Sequence, residues 1–395
     1  MTSYEEALAL LLDAVGTLQE GDCDVASAGG RHLADRVCSG VDLPPFDNSS
    51  MDGYAVRSSD FLSGQTVTLR MVGEAGAGCA DPIPVESGTC VRVFTGAPLP
   101  PGADAVVMQE DTRLSEDGLV TVLDPVRPWE NVRFRGEDVR SGGMLLEKGS
   151  RLGPGQIALL LASGIQRVRI RRPAAVAIAS TGDELVQPGE PLGRGKVFDC
   201  NAAALAELLR AEAGSMTRLP VIPDEPAAAE RALEAAFRTA DVVVTAGGAS
   251  VGGRDCLRPA FERIGGVVRF WRIAIRPGKP FFFGELDGRF LFGLPGNPVS
   301  ALVTASLLVV PALRRLQGAR QPGPVFLPAR LAEAVSNPGD RRHFLRIRRE
   351  PDGSVRSSGV QASHILGSLA HADGLADIPA GAELHPGDTV PVLFW

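Results

Sequence analysis

No two cysteines of this 395-residue chain stand close enough to form a metal or redox motif; the six lie at 23, 38, 79, 90, 200 and 256. With only 5 histidines and no cluster of them, neither a zinc site nor a disulfide framework is supported. A reducing cytoplasm is the simplest compartment. An export signal is also missing, because the opening MTSYEEALALLLDAV is acidic where a signal peptide is basic. Ser3 and Glu6 instead read as a capping box on an amphipathic helix. The longest apolar run, about Val299 to Leu313, contains Ser300, Thr304, Ser306 and Pro311. It falls short of the roughly 18 residues of a membrane span. Positive charge is in deficit: the formal net charge of -7 argues against a general nucleic-acid or membrane-surface binder, while leaving room for a local basic pocket. There is no G-x-x-x-x-G-K-[ST], which argues against a P-loop phosphoryl transferase, and no solenoid-type repeat.

What is present is an ordinary globular composition, 44% hydrophobic and 22% charged, long enough for two or more domains. Residues 1 to about 40 read as helical. Between about 64 and 135 the chain is rich in Gly, Pro and β-branched residues, with strand-like pieces such as QTVTLRMVG, CVRVF and DAVVMQED. A helical pattern returns at Pro154 to Ala162, so the helical parts are expected to pack together across a β insertion. From 174 to about 318, AAVAIAS, DVVVTAGG and FLFGLPG are short apolar strands that each run into a turn. Between them lie helical patterns: NAAALAELLRAEAG, with Asn201 as cap and Gly214 as stop, and Pro226 to Ala240, with Leu233 and Phe237 on one face. Strands alternating with helices predict a largely parallel, doubly wound sheet. After QPGP at 321 to 324, HFLRIRR and TVPVLF predict a small terminal β domain.

In a doubly wound sheet the ligand crevice lies beyond the carboxyl ends of the strands. Here STGDEL, TAGGASVGGRD and GLPGNP follow strands and converge by topology. Gly182, Gly247, Gly248, Gly252, Gly253, Gly293 and Gly296 let backbone amides approach a bulky ligand, and Asp183, Glu184 and Asp255 add carboxylates. In GLPGNP, Asn297 is a good N-cap and Pro298 suits the first helical position. The unpaired amides and dipole of that helix start can receive an anion or phosphate. A plain strand-to-helix connection with nothing bound is the competing reading. Carboxylates lining a phosphate crevice call for a metal between them, and magnesium suits one or two carboxylates with several waters. RPGKP adds Arg276 and Lys279 on a stiff frame. RRHFLRIRR adds Arg341, Arg342, Arg346, Arg348 and Arg349, which are either an exposed strand face or part of a small-oxyanion site.

The chain resembles, over nearly its whole length, the molybdopterin molybdenumtransferase family, bacterial MoeA and the C-terminal domain of gephyrin. The motifs are NSSMDGYAV (48 to 56), VRVFTGAPLPPGADAVVMQED (91 to 111), RGEDV (135 to 139), STGDEL (180 to 185), GGASVGGRD (247 to 255), RPGKP (276 to 280), GLPGNPVSAL (293 to 302) and GVQASHIL (359 to 366). The resemblance implies insertion of molybdate into adenylylated molybdopterin, with magnesium-dependent cleavage of the adenylate and release of AMP and molybdenum cofactor. It implies a doubly wound α/β molybdopterin-binding domain at 173–320, an inserted mainly-β domain at 48–141, an N-terminal helical and linker domain at 1–47 with 142–172, and a small C-terminal β domain at 321–395.

The family's functional acids fall on Asp52, Asp138, Glu184, Asp224 and Asp255, joined by Thr95, with Glu184 and Asp255 assigned to magnesium. Molybdate-binding positions fall on Ser250, Arg276, Lys279, Arg341 and Ser363. The pterin-nucleotide cradle takes in Thr181, Gly182, Asp183, Gly247, Gly248, Pro295, Gly296, Asn297 and Pro298. Arg276 stands where the family often has lysine, Ala249 where an aliphatic residue is usual, and Gly253 where an acid is common. A planar guanidinium at 276 keeps the charge but changes its geometry. The resemblance also implies an elongated homodimer whose clefts are shared between subunits. A molybdopterin adenylyltransferase and molybdoenzymes are candidate partners; nucleic acid and membrane are not expected. A non-catalytic molybdopterin-binding or scaffold protein of the same fold is the alternative.

Overall fold

The computed structural model describes residues 1–61, 66–248 and 256–395. Its first helix, Tyr4–Ala14, begins with the expected capping box: Ser3 N–H donates to Glu6 Oε2 at 2.9 Å and Glu6 N–H donates to Ser3 Oγ at 3.2 Å. The helical reading of residues 1 to 40 does not hold beyond that point. Glu20–Asp24 is a strand, paired antiparallel with Arg167–Arg171. Glu20 meets Arg169 and Arg171 at 2.6 Å each, so a long-range ion-pair fork outweighs local propensity. The expected packing across the β insertion holds for the short helical turn Val25–Ser27 against helix Pro154–Ala162, and not for the first helix. Tyr4, Ala7, Leu11 and Val15 lie in the core of the α/β unit, whereas helix Pro154–Ala162 buries Leu160 in a separate core with Val25, Leu33, Leu152, Val168 and Ile170.

The β-rich stretch forms a six-stranded sheet in the order Ala105–Met108, Gly53–Val56, Thr89–Val93, Val67–Ala75, Leu119–Val122, Thr112–Leu114. Strand alternation divides its side chains between two cores. Tyr54, Val56, Leu69, Cys90 and Val107 fill one; Ala55, Ala75, Val91, Val93 and Val106 fill the other.

The α/β unit is the expected doubly wound sheet. Four parallel strands, Ala213–Arg218, Ala174–Ser180, Val242–Ala246 and Arg289–Leu294, are extended by two antiparallel ones, Phe282–Leu286 and Val267–Trp271. The antiparallel edge starts with a tight hairpin at Asp287 and Gly288, both at positive φ (50° and 73°), the geometry that an Asp-Gly pair favours. Helix Pro226–Thr239 buries Ala229, Leu233, Ala236 and Phe237, as its pattern predicts. Helix Asn201–Leu209 is shorter than expected: Cys200 occupies the cap position, and Gly214 stops no helix. It lies within the edge strand, where a Cβ would sit 2.7 Å from Pro173 Cγ and 2.9 Å from its carbonyl oxygen.

Pro298–Leu316 is one helical stretch of 19 residues, longer than the interrupted apolar run implied and long enough to cross a membrane by length and composition. Its apolar window is 78% buried inside the protein, as befits a core helix. A π segment at Ala305–Val309 precedes Pro311, whose missing N–H and bulky ring disrupt the regular ladder there.

The terminal β unit contains the strands Arg342–Arg349, Gly374–Ile378, Thr389–Phe394 and Leu327–Arg330. One further strand comes from the α/β unit: Ile275–Arg276, whose second residue opens the RPGKP stretch, pairs in parallel with Arg342 and His343. The two units are therefore stitched by backbone hydrogen bonds next to a cationic motif. Strand Arg342–Arg349 also turns one face to each side. Leu345 and Ile347 belong to the terminal core, while Phe344 packs edge-on to Tyr4 at 5.2 Å.

Candidate active site

Register brings three strand ends level. Ser180 lies opposite Ala246, and Ala246 opposite Leu294. The turns that follow continue the bonding, with Thr181 N–H donating to Ala246 O at 2.9 Å and Gly247 N–H to Leu294 O at 3.0 Å. Close approach explains two glycines. At Gly247, φ 98°, a Cβ would lie 2.6 Å from both Thr181 O and Thr181 Oγ1; at Gly182, φ 141°, it would collide with the Glu184 carboxylate. Thr181, Gly182, Gly247, Gly248, Pro295, Gly296, Asn297 and Pro298 are thus brought to one edge. The Thr181 hydroxyl is buried there without a partner among the described residues.

IPDEP joins the same edge. Gly182 N–H donates to Ile222 O at 3.1 Å, and Asp224 N–H donates to Asp183 Oδ1 at 3.1 Å. Asp183 and Glu184 are exposed and Asp224 is half-buried. Ser250 and Asp255, with Ala249, Gly252 and Gly253, lie outside the described residues, and no group of three or more His, Cys, Asp or Glu side chains gathers among those that are described.

Two residues of this edge carried no site assignment in the sequence. Asp199 Oδ1 accepts from Ser180 Oγ at 2.7 Å and from Asn201 N–H at 3.0 Å, and Asn201 Nδ2 donates to Gly296 O at 2.8 Å. The FDCN turn therefore ties the first strand end to GLPGNP. Its signal was an Asp and an Asn two apart before an apolar helix, of which Asn201 was read only as a cap.

Asn297 is the cap of the long helix, with extended backbone and Pro298 in the first turn, yet its side chain makes no capping bond. Nδ2 instead donates to Ser363 Oγ, 3.0 Å away in the terminal β unit. The strand pairing that joins the two units carries cations. Arg276 and Lys279 are exposed, and Arg341 Nη1 donates to Ile275 O at 3.1 Å. His343 is buried between them; burial first, then the charges of Arg276, Arg346 and Arg341, push its pKa down to about 4, leaving it neutral at pH 7. The exposed-face reading of the RRHFLRIRR arginines holds for Arg348 and Arg349 only. Arg342 pairs with Asp377, and Arg346 is fully buried.

Asp52, Thr95 and Asp138 lie in the inserted region. Thr95 N–H and Oγ1–H both donate to Asp52 Oδ1 at 2.8 Å, and these bonds, backbone first, lower the Asp52 pKa. Asp138 is exposed, its N–H donating to Leu43 O at 3.0 Å. Among the described residues, no hydrogen bond or ion pair joins 48–133 to 174–318. Among the described residues, then, nothing bonds the Asp52 cluster to Glu184.

A doubly wound sheet with glycine-rich, acid-bearing turns at its strand ends is thus joined, through Asn297 and Ser363 and through strand Ile275–Arg276, to a terminal β unit, an arrangement with the chemistry to receive an anionic ligand. Residues 2–164 match the MoeA N-terminal region (domain I and II), 177–315 the "Probable molybdopterin binding domain" and 328–395 the MoeA C-terminal region (domain IV). A molybdopterin molybdenumtransferase of Haemophilus influenzae is 41% identical over 357 residues, covering 89% of this chain and 87% of the relative. One from a Nostoc species is 36% identical, covering 91% and 84%. A molybdopterin biosynthesis moeA protein of Pyrococcus horikoshii superposes with a TM-score of 0.84 at 31% identity, over 100% of both chains. The chain belongs to the molybdopterin molybdenumtransferase family and is a transferase of molybdenum cofactor biosynthesis.

Proposed function

We propose that this chain inserts molybdate into adenylylated molybdopterin with magnesium-dependent release of AMP, giving molybdenum cofactor. The observation that carries this reading is the junction at Asn297 and Ser363. It sets the amide-rich turns of the pterin-binding unit against the edge formed by Arg276, Lys279 and Arg341. The turns after the three parallel strands cradle the pterin nucleotide, with Thr181, Gly247 and Gly296 admitting its phosphates close to the backbone. Arg276, Lys279, Arg341 and Ser363, with Ser250, hold molybdate by charge-assisted hydrogen bonds of about 1.5–3 kcal/mol each.

The carboxylates fit a hydrated magnesium rather than a closed protein cage. The Glu184 carboxylate folds over Gly182, Asp183 Oδ1 accepts from the Asp224 backbone N–H, and magnesium takes one or two carboxylates while keeping waters and substrate phosphate. Glu184 and Asp255 would hold it, and when bound it would offset charge on the phosphates as AMP leaves. Asp52, held ionised by Thr95, and Asp138 complete the acidic set from the inserted region of a second subunit in a homodimer. A soluble cytoplasmic setting, with a molybdopterin adenylyltransferase supplying substrate and molybdoenzymes taking product, accords with this chemistry.

The test is AMP release from adenylylated molybdopterin with and without molybdate and divalent metal. Release that requires magnesium or manganese and survives a zinc-selective chelator is expected. Undiminished turnover in metal-free buffer overturns the metal assignment, and no AMP under any condition overturns the reaction.

A further inference from the structure

Arg346 heads the largest fully buried side chains, at 0% exposure. Nε donates to Ser368 Oγ at 3.0 Å, and Nη2 donates to Val360 O at 2.9 Å and Ala362 O at 3.2 Å. Its backbone N–H donates to Gln361 Oε1 at 3.0 Å, and its carbonyl accepts from Gln361 Nε2 at 3.0 Å and Ser358 N–H at 3.0 Å. Nη1 is buried with no partner among the described residues. Every partner of the guanidinium is uncharged.

A buried cation without a counter-ion carries a large desolvation penalty, and arginine does not escape it by losing its proton. Burial first, and then the charge of Arg276, lower the Arg346 pKa, so the two cations sense each other. Arg276 has no ion-pair partner among the described residues, and Arg341 only a 3.8 Å approach to exposed Asp340. Arg276, Arg341 and Arg346 are thus collected at the strand pairing of Ile275–Arg276 with Arg342–Arg349, and among the described residues no carboxylate forms an ion pair with Arg346. Moreover, the carbonyls that Arg346 grips, at 360 and 362, immediately precede Ser363.

We infer that Arg346 is a positioning residue for the oxyanion: its fork fixes the loop that presents Ser363, and its unneutralised charge, acting from behind that loop, favours a tetrahedral dianion over a monoanion. The inference rests on the molybdate site proposed above. A charge buried in low dielectric acts at longer range than a surface one and is little screened by salt.

The test uses the full chain and equilibrium binding of molybdate and of perrhenate, a tetrahedral oxyanion with one negative charge fewer. R346Q removes the charge. Ser368→Asp supplies a carboxylate beside Nε and leaves the arginine in place, with Ser368→Asn as its neutral control. R346Q and Ser368→Asp should each weaken molybdate about tenfold and perrhenate by about threefold or less, while Ser368→Asn leaves the ratio of the two affinities at the wild-type value. A merely structural role lowers both anions by one factor, and that result, or no change in either, overturns the inference. If R346Q does not fold, Ser368→Asp decides alone. Arg341→Ala separates the two levels. Unchanged molybdate binding in that variant overturns the molybdate site itself, whereas a loss there with an unaltered ratio in the other variants overturns only the role of Arg346.

Discussion

Asn297 Nδ2 stands 3.0 Å from Ser363 Oγ, joining the helix that follows the parallel sheet to a loop of the terminal β unit. A capping Asn normally bonds the amides of its own first turn and contributes about 1 kcal/mol to stability. Here the side chain leaves those amides free and spans two units of the fold. Asn297→Ala should therefore cost little stability, shifting the melting midpoint by about 2 °C or less, while lowering kcat/KM by about tenfold. Ser363→Ala should do the same, and the double variant should be no worse than the poorer single one, since both remove one shared contact. Fully additive losses in the cycle would count against the latch.

The Asp52–Thr95 pair makes the acid side of the pH profile readable. Both Thr95 bonds favour the carboxylate form of Asp52, the backbone N–H more than the hydroxyl, so the folded pKa lies below the ordinary value. Thr95→Val deletes the hydroxyl bond and keeps the amide, so that pKa must rise toward the ordinary value. If the carboxylate is the working form, activity is lost at a higher pH as the solution is acidified. The profile of kcat/KM against pH should show its acid limb displaced upward, with the alkaline limb in place. An acid limb that stays put in a folded Thr95→Val protein assigns it to another group.

Where a feature depended on a few adjacent residues, it was legible in the sequence. Ser3 with Glu6 announced a capping box, Pro298 after Asn297 a helix start, and the apolar runs ending in glycine three parallel strands. Topology also placed Gly182, Asp183, Glu184, Gly247 and Gly296 at those strand ends, while Asp255, Gly252 and Gly253 lie outside the described residues. Features made by long-range pairing were not legible. Glu20–Asp24 has no strand-like alternation and is held by strand Arg167–Arg171, far along the chain. Ile275–Arg276 was not read as a strand, because its partner strand begins at Arg342. Arg346 has the same chemistry in the sequence as Arg348, and only the packing of the 359–368 loop over one face separates the buried arginine from the exposed one. For the same reason Asp199 carried no assignment in the sequence.

The inserted β unit poses the remaining question of assembly. Asp52 and Thr95 are exposed and hydrogen-bonded to each other, which lowers the Asp52 pKa, yet no hydrogen bond or ion pair among the described residues connects their unit to the sheet edge bearing Glu184. The unit also encloses its own two cores and shares none of their residues with the α/β core. In a two-fold dimer the inserted unit of one subunit can face the α/β cleft of the other, generating two equivalent composite sites. Asp52→Asn and Glu184→Gln each then damage both sites of their own homodimer. A mixed dimer of the two variants holds one cleft with both lesions and one with neither. Coexpressed with different affinity tags and purified as the mixed species, it should regain roughly half the wild-type AMP release if the clefts act independently. Mixed dimers as inactive as either parent, with subunit mixing verified by mass, would place Asp52 and Glu184 in the same chain's site.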